Sequence, residues 1–230
     1  MERVFEPDAI IFDMDGVLVN SEVHWKAVES EFLSGLVPGW SDADQSAILG
    51  MSAYDVHARL VEKYGLTLSR EAYIEYYRGL SQTIYGERSA LLPGVSQLVR
   101  SLHERGTLLA LASSSPHSWI DIVLERFDLR RCFRAIVSSD DLGGKGKPAP
   151  DIYLKAAERL GVNPIRCVAI EDTRKGLQSA QAAGMRTIGV LNGFNHPADV
   201  AAAGIVLQGF EEMTVDRLLE LARSLPLEQV

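Results

Sequence analysis

The chain has 230 residues, of which 47% are hydrophobic and 23% charged, near the globular average; this excludes a disordered tail and leaves enough apolar surface for a real core. Lys and Arg number 23 against 31 Asp and Glu, a net charge of −8, which argues against sequence-independent nucleic-acid binding and for a soluble monomer or weak dimer. Cys132 and Cys167 lie far apart without a CxxC, the start Met1-Glu2-Arg3 opens no basic-then-apolar leader, and no apolar run nears the ~18 residues of a membrane span. The expectation is therefore no disulfide framework, no structural zinc, no membrane or nucleic-acid partner, and a cytoplasmic location.

In chain order, residues 9–12 come first. They are short and wholly apolar, as a strand buried on both faces must be. The same kind of run recurs at 108–111, 135–137, 167–170 and 187–190, with a weaker one at 203–207. Helix-length segments separate them at 94–105, 117–127, 150–160 and 173–183. That alternation predicts an α/β fold with a parallel sheet, whose right-handed crossovers bring the strands' carboxyl ends to one ligand-binding edge. Residues 20–90 differ. They contain no clear strand, and helical spacing appears instead, as at Val23, Ala27 and Phe32 and again at Val56, Leu60 and Tyr64. Gly50, Gly65 and an N-cap at Ser69 divide the segment. Tyr73, Tyr76, Tyr77 and Tyr85 cluster in its last helix and read as core or interdomain packing, with one of them facing a ligand as the alternative. The expected organisation is an α/β core of residues 1–19 and 91–230, interrupted by an all-helical insert at 20–90.

Four strand ends carry chemistry. Asp13 and Asp15 follow the first strand directly, in a turn that Gly16 permits; the alternative is a solvated turn with two surface carboxylates. Ser113-Ser114-Ser115 follows the second strand and offers hydroxyls and backbone N–H groups to an anion, or serves as an ordinary N-cap. Gly143 to Asp151 carries Lys147 ahead of Pro148, a point charge for a phosphate or part of a solvated basic loop; it is not a P-loop, because Asp141 stands at the first glycine position and Pro148 follows the lysine. Glu171-Asp172 follows the fourth long apolar run, either as hard-cation ligands or as acids favoured at a helix N-terminus. Each signal is weak alone. An acid pair, a hydroxyl, a lysine and a second acid pair at four strand ends are not a chance set.

On these motifs the sequence resembles the haloacid dehalogenase (HAD) superfamily, in the subgroup of β-phosphoglucomutase and small sugar-phosphate phosphatases. The likeness covers essentially the whole chain: Asp13 to Val17, Ser113, Lys147 to Asp151, and Glu171-Asp172. It implies a Rossmann-like parallel-sheet core with the insert as a helical cap. It also implies Mg²⁺-dependent hydrolysis of a small phosphate ester through an aspartyl-phosphate. Asp13 is then the nucleophile and Asp15 the acid/base. Ser113, Ser114 and Lys147 hold the phosphate, with the backbone N–H groups of Met14 and Asp15. The metal is held by Asp13, Asp15 (through its carbonyl), Glu171 and Asp172. The cap selects the leaving group, with Ser21, Glu22, His24, Trp25 and the Gly50-Met51-Ser52 turn as candidates for contact, packing or capping.

Rival activities divide on particular residues. β-Phosphoglucomutases carry a histidine twelve residues after the nucleophile and basic residues flanking the cap's glycine turn. Here those places hold Trp25, Leu49 and Ala53, which favours a phosphatase over a mutase; sugar-phosphate phosphatases of the 2-deoxyglucose-6-phosphatase type carry a tryptophan where Trp25 stands. Dehalogenases of the superfamily lack the second aspartate, present here as Asp15. Phosphonoacetaldehyde hydrolase needs a Schiff-base lysine in the cap, where Lys26 and Lys63 sit in no matching motif. A phospho-accepting receiver domain puts its acceptor on a later strand and has no such insert. His57, His103, His117 and His196 show no metal-ligand spacing.

Overall fold

A computed structural model describes residues 5–48, 53–143 and 146–225. The chain divides into two compact units, Met1–Asn20 with Ala90–Val230, and Ser21–Ser89.

The larger unit is built on six parallel strands: β1 (Ala9–Phe12), β2 (Leu108–Ser113), β3 (Ala135–Ser138), β4 (Cys167–Glu171), β5 (Arg186–Val190) and β6 (Ile205–Leu207). Their order is β3-β2-β1-β4-β5-β6. Strands β1, β4 and β5 are buried along their whole length, which is why apolar residues fill consecutive positions of each without alternation, as in Ala9–Phe12. Ile11, Ala110, Val137 and Ala169 form a core cluster with Tyr153, Ala156, Ala180 and Met185. Small residues on both sides let the layers approach closely. Burying each large apolar side chain in such a layer contributes about 1.5–3 kcal/mol.

Several strands run past the ends of their apolar cores. Ser113 still pairs with Ser138, and Glu171 with Gly189. These polar residues occupy the last rungs of the ladder rather than the loops beyond, because backbone pairing is indifferent to the side chain it carries. Arg186 opens β5 as a buried residue because its guanidinium lies over the Phe5 ring, 3.1 Å from the centroid. The last strand is shorter than residues 203–207, since the Gly204 N–H turns back to the Thr187 carbonyl.

The strand order runs one way from β1 and the other way from β4. The seam between these two neighbours is the topological switch point, outside whose carboxyl ends open α/β sheets bind ligands. In register, Phe12 faces Ile170. The next residues on either side, Asp13 and Glu171, therefore come together at the seam.

The smaller unit consists of α1 (Ser21–Leu36), α2 (Asp42–Ile48), α3 (Ala53–Tyr64), α4 (Arg70–Thr83) and a π-helical turn at Ile84–Arg88. Ser69 caps α4 by accepting from the Ala72 N–H. Tyr73 and Tyr77 on α4 and Tyr85 in the π-turn are buried, while Tyr76 is 45% exposed and stacks on Phe32 at 3.7 Å. Tyr85 lies beyond the last α-helix, not within it. Glu29 on α1 accepts from the Tyr77 hydroxyl and from Gln45 Nε2, whose Oε1 takes the Trp40 indole N–H. Burial raises the Glu29 carboxyl above the usual range, against these two donors. Among the described residues no helix is long and apolar enough to cross a membrane.

The larger unit also holds α5 (Val95–Glu104), α6 (His117–Arg126), α7 (Asp151–Leu160), α8 (Arg174–Ala182), α9 (Pro197–Val200) and α10 (Val215–Ser224).

Candidate active site

The end of β1 puts Asp13 against the end of β4. The Asp13 N–H donates to the Ile170 carbonyl at 3.0 Å, so the backbone of the first carboxylate is tied to the strand that delivers Glu171. One oxygen each from Asp13, Glu171 and Asp172, all buried, lie within 4.8 Å of one another. Three carboxylates this close repel strongly in a low dielectric unless cations compensate.

One cation of the chain itself does so in part. The Lys147 ammonium donates to Asp13 Oδ1 at 2.6 Å, to Glu171 Oε1 at 2.6 Å and to the Ala112 carbonyl at 3.1 Å. All three of its protons are thereby used. Burial alone would lower the Lys147 pKa, but the charges of Asp13 and Glu171 outweigh it and hold the ammonium above its ordinary value. Burial pushes the Asp13 carboxyl up to about 8, with Lys147 pulling it down and Glu171 and Asp15 adding to the rise.

Glu171 is the most thoroughly held member. Its Oε1 also accepts from the Tyr153 hydroxyl at 2.6 Å. Its Oε2 accepts from the Asp172 N–H at 3.2 Å, the Thr173 N–H at 3.4 Å and the Thr173 hydroxyl at 3.2 Å. Gly176 clears the space: a Cβ there would stand 2.0 Å from the Glu171 carboxyl carbon. Gly16, at φ +76°, plays the same part for Asp172, whose Oδ2 lies where a Cβ would be, at 1.9 Å.

Asp15 is turned elsewhere. It is half-buried, and its Oδ2 accepts from the Ser115 hydroxyl at 2.8 Å, so its carboxylate is not one of the three at the seam. Of the serine run, Ser113 and Ser115 are buried and Ser114 is exposed. Ser113 Oγ accepts from the Ser115 N–H at 3.0 Å, and Ser138 Oγ donates to the Ser115 carbonyl at 2.7 Å. Ser113 directly follows Ala112, whose carbonyl shares the Lys147 ammonium with Asp13.

In the helical unit Ser21 is buried at the start of α1, Glu22 is exposed in its first turn and His24 is half-buried. Trp25 belongs to the aromatic cluster: its indole N–H donates to the Tyr85 hydroxyl at 3.0 Å and its ring stacks on Tyr77 at 5.8 Å. Leu49, Gly50, Met51 and Ser52 lie outside the described residues, as do Gly144 and Lys145.

Four residues of the arrangement had no separate signal in the sequence: Ser115, Tyr153, Asn192 and Asn195. Ser115 is one serine of three. Tyr153 reads as a core aromatic on a helix. Asn192 and Asn195 read as turn formers in Leu191-Asn192-Gly193-Phe194-Asn195.

The donor set suits a hard divalent cation. It consists only of oxygens, it is buried, and three ionised carboxylates against one ammonium would leave two negative charges for a cation to balance.

The family pattern of haloacid dehalogenase-like hydrolases matches residues 10–190. The chain belongs to this family. Hexitol phosphatase B of Escherichia coli K12 is 35% identical over 215 residues, which cover 92% of this chain and 96% of that protein. A phosphorylated-carbohydrate phosphatase of Thermotoga maritima is 30% identical over 200 residues, 86% of this chain and 92% of that one. The crystal structure of CbbY from Rhodobacter sphaeroides in complex with phosphate superposes with a TM-score of 0.75 at 26% identity, over 90% of this chain and 96% of that chain. As a HAD-family enzyme of the phosphatase type, the chain has its acids and hydroxyl at the strand ends of one parallel sheet and its lysine in the loop between β3 and α7.

Proposed function

We propose that the enzyme hydrolyses a small phosphorylated carbohydrate with Mg²⁺, through an aspartyl-phosphate on Asp13. The observation that carries this reading is the buried Asp13 carboxylate, tied to Lys147 at the switch point, with a second aspartate two residues on turned away to Ser115. The relatives' names, one a hexitol phosphatase and one a phosphorylated-carbohydrate phosphatase, support the substrate class.

Asp13, Glu171 and Asp172 would hold the cation, with the carbonyl of Asp15. When bound, it neutralises the site's excess negative charge and lets an anionic nucleophile meet an anionic phosphate. In the first step an Asp13 oxygen attacks phosphorus, the ester P–O bond breaks, and Asp15 gives its proton to the departing oxygen. The Ser115 hydroxyl donates to Asp15 Oδ2 and fixes that carboxyl group for both proton transfers. In the second step Asp15 takes a proton from water, which attacks the phosphorus and releases Asp13 and inorganic phosphate. Ser113 and Lys147 hold the phosphoryl oxygens through both in-line transfers.

The test is phosphorus NMR of the enzyme with Mg²⁺ against hexitol phosphates and sugar mono- and bisphosphates. Growth of inorganic phosphate from a carbohydrate monophosphate is the expected result. Conversion of β-glucose 1-phosphate to the 6-phosphate without inorganic phosphate would replace the phosphatase reading with a mutase.

A further inference from the structure

The loop after β5 carries a side chain that ties the site to its own loop with every hydrogen-bonding position it has. Asn192 Nδ2 donates to Asp172 Oδ2 at 3.0 Å and to the Gly16 carbonyl at 2.9 Å. Its Oδ1 accepts from the N–H groups of Phe194 at 2.9 Å and Asn195 at 3.0 Å. An amide has two donors and two acceptor lone pairs, and all four are used. This settles which way the amide faces, since rotating it by half a turn would set a carbonyl oxygen against a carboxylate and a carbonyl.

The two groups this amide joins, and the amide itself, come from three separate strand ends. Gly16 belongs to the loop that carries Asp13 and Asp15, Asp172 follows β4, and Asn192 follows β5. The approach is close on all sides: a Cβ on Gly16 would stand 1.9 Å from Asp172 Oδ2 and 2.9 Å from Asn192 Nδ2. A second asparagine completes the join. Asn195 Nδ2 donates to the Asp172 carbonyl and to the Val190 carbonyl, both at 2.8 Å. Asp172 is thus held by side chain and by backbone from the same six-residue loop.

We propose that Asn192 is a positioning residue. It fixes the rotation of the Asp172 carboxylate and locks it to the Asp13–Gly16 loop, so that the carboxylates of the metal site meet in one arrangement before a cation arrives. This rests on the reading of Asp172 as a cation ligand. A carboxylate free to turn about its Cβ–Cγ bond would have to be ordered at the moment of binding. Outer partners of metal ligands commonly contribute 10–100-fold in metal affinity for this reason.

The experiment measures Mn²⁺ binding by the electron paramagnetic resonance signal of the free ion, without substrate, in the whole enzyme and three variants. Asp172→Asn tests the ligand reading. Asn192→Ala removes the amide, and Asn192→Leu removes its hydrogen bonds while keeping the same number and branching of side-chain heavy atoms, in case the smaller side chain fails to fold. The expected result is that Asp172→Asn abolishes saturable binding and that either Asn192 variant weakens it about 10–100-fold. In turnover, the Asn192 variants should need correspondingly more Mg²⁺ for half-maximal rate and recover most of kcat at saturating Mg²⁺. A purely structural role would instead lower kcat at every Mg²⁺ concentration. Wild-type Mn²⁺ affinity in both Asn192 variants, beside a dead Asp172→Asn, overturns the positioning role and leaves the ligand reading standing. Wild-type affinity in Asp172→Asn overturns both.

Discussion

At the carboxyl edge of the sheet, Asp13, Lys147, Glu171 and Asp172 are buried within reach of one another, and each is held by named partners. In the helical unit the buried polar side chains among the described residues are three tyrosines, three serines, a histidine and a glutamine, with the rings joined in contacts such as Trp25–Tyr77 and Tyr73–Tyr77. Both interiors hide polar chemistry from water. The first confines full charges to a few fixed atoms, where a substitution changes reactivity. The second attaches hydroxyls to large apolar rings, where a substitution changes packing. A buried charge is expensive and directional, and a buried ring is favourable and tolerant.

The sharpest way to break the comparison is Asp13→Asn. Asparagine keeps the shape, and Lys147 still pairs with Glu171. Repulsion from Glu171 and Asp15, which helps hold the Asp13 carboxyl high, is removed. The expected outcome is a fall in turnover of about 10³-fold or more, with a melting temperature in metal-free buffer at or above that of the wild type. Substantial residual turnover would remove Asp13 from the nucleophile's role.

Lys147→Met goes the other way. It leaves Asp13 and Glu171 buried without their shared cation, and breaking a buried ion pair from one side costs about 3–5 kcal/mol. Thermal unfolding should show a lower melting temperature, and added Mg²⁺ should restore part of it by supplying positive charge to the same carboxylates. Loss of turnover accompanies it. An unchanged melting temperature in metal-free buffer would mean that the ammonium is not the site's main counter-charge.

Tyr73→Ala probes the helical unit. Tyr73 is fully buried and touches the rings of Phe32, His57 and Tyr77. Deleting a buried aromatic ring costs about 3–5 kcal/mol. Hydrogen exchange followed by mass spectrometry should show protection lost in α1, α3 and α4. Equal loss in β1 and β4 would show that the two units unfold as one.

How much of this was legible beforehand depends on what a residue does with its surroundings. The strands could be read because a parallel strand covered on both faces has to be apolar throughout, as Ala9–Phe12 is. Asp13, Lys147, Glu171 and Asp172 could be read because their charges recur together after successive apolar strands, although each alone had an ordinary structural alternative. Tyr153 could not, since its ring satisfies the helix pattern and only the fold reveals that its hydroxyl ends at Glu171. Asn192 and Asn195 were hidden in the same way: an asparagine beside a glycine is what any tight turn requires. Ser115 was masked by identical neighbours, and only the fold shows that its hydroxyl reaches Asp15 while Ser114 is exposed. Function carried by charge is visible in a sequence, whereas function carried by an oriented neutral donor emerges only with the fold.

Tyr153→Phe is the mildest test and separates two roles for such a donor. The ring is fully buried and sits 5.2 Å from the Lys147 ammonium, and phenylalanine keeps that packing. What is lost is one hydrogen bond to Glu171 Oε1, an oxygen that Lys147 also contacts. A bond to a charged acceptor contributes about 1.5–3 kcal/mol. For a chain of this length that corresponds to several degrees of melting temperature in metal-free buffer. If the hydroxyl only offsets charge, Glu171 becomes more available when it is gone, and the gain in melting temperature on adding Mg²⁺ should be larger in the variant than in the wild type. If the hydroxyl orients Glu171 toward the cation, that gain should shrink. The hydroxyl's partner is the best-held carboxylate of the cluster, with Thr173 and the Asp172 N–H already fixing its other oxygen. Orientation is thus supplied without Tyr153, and the larger Mg²⁺ response is the expected outcome.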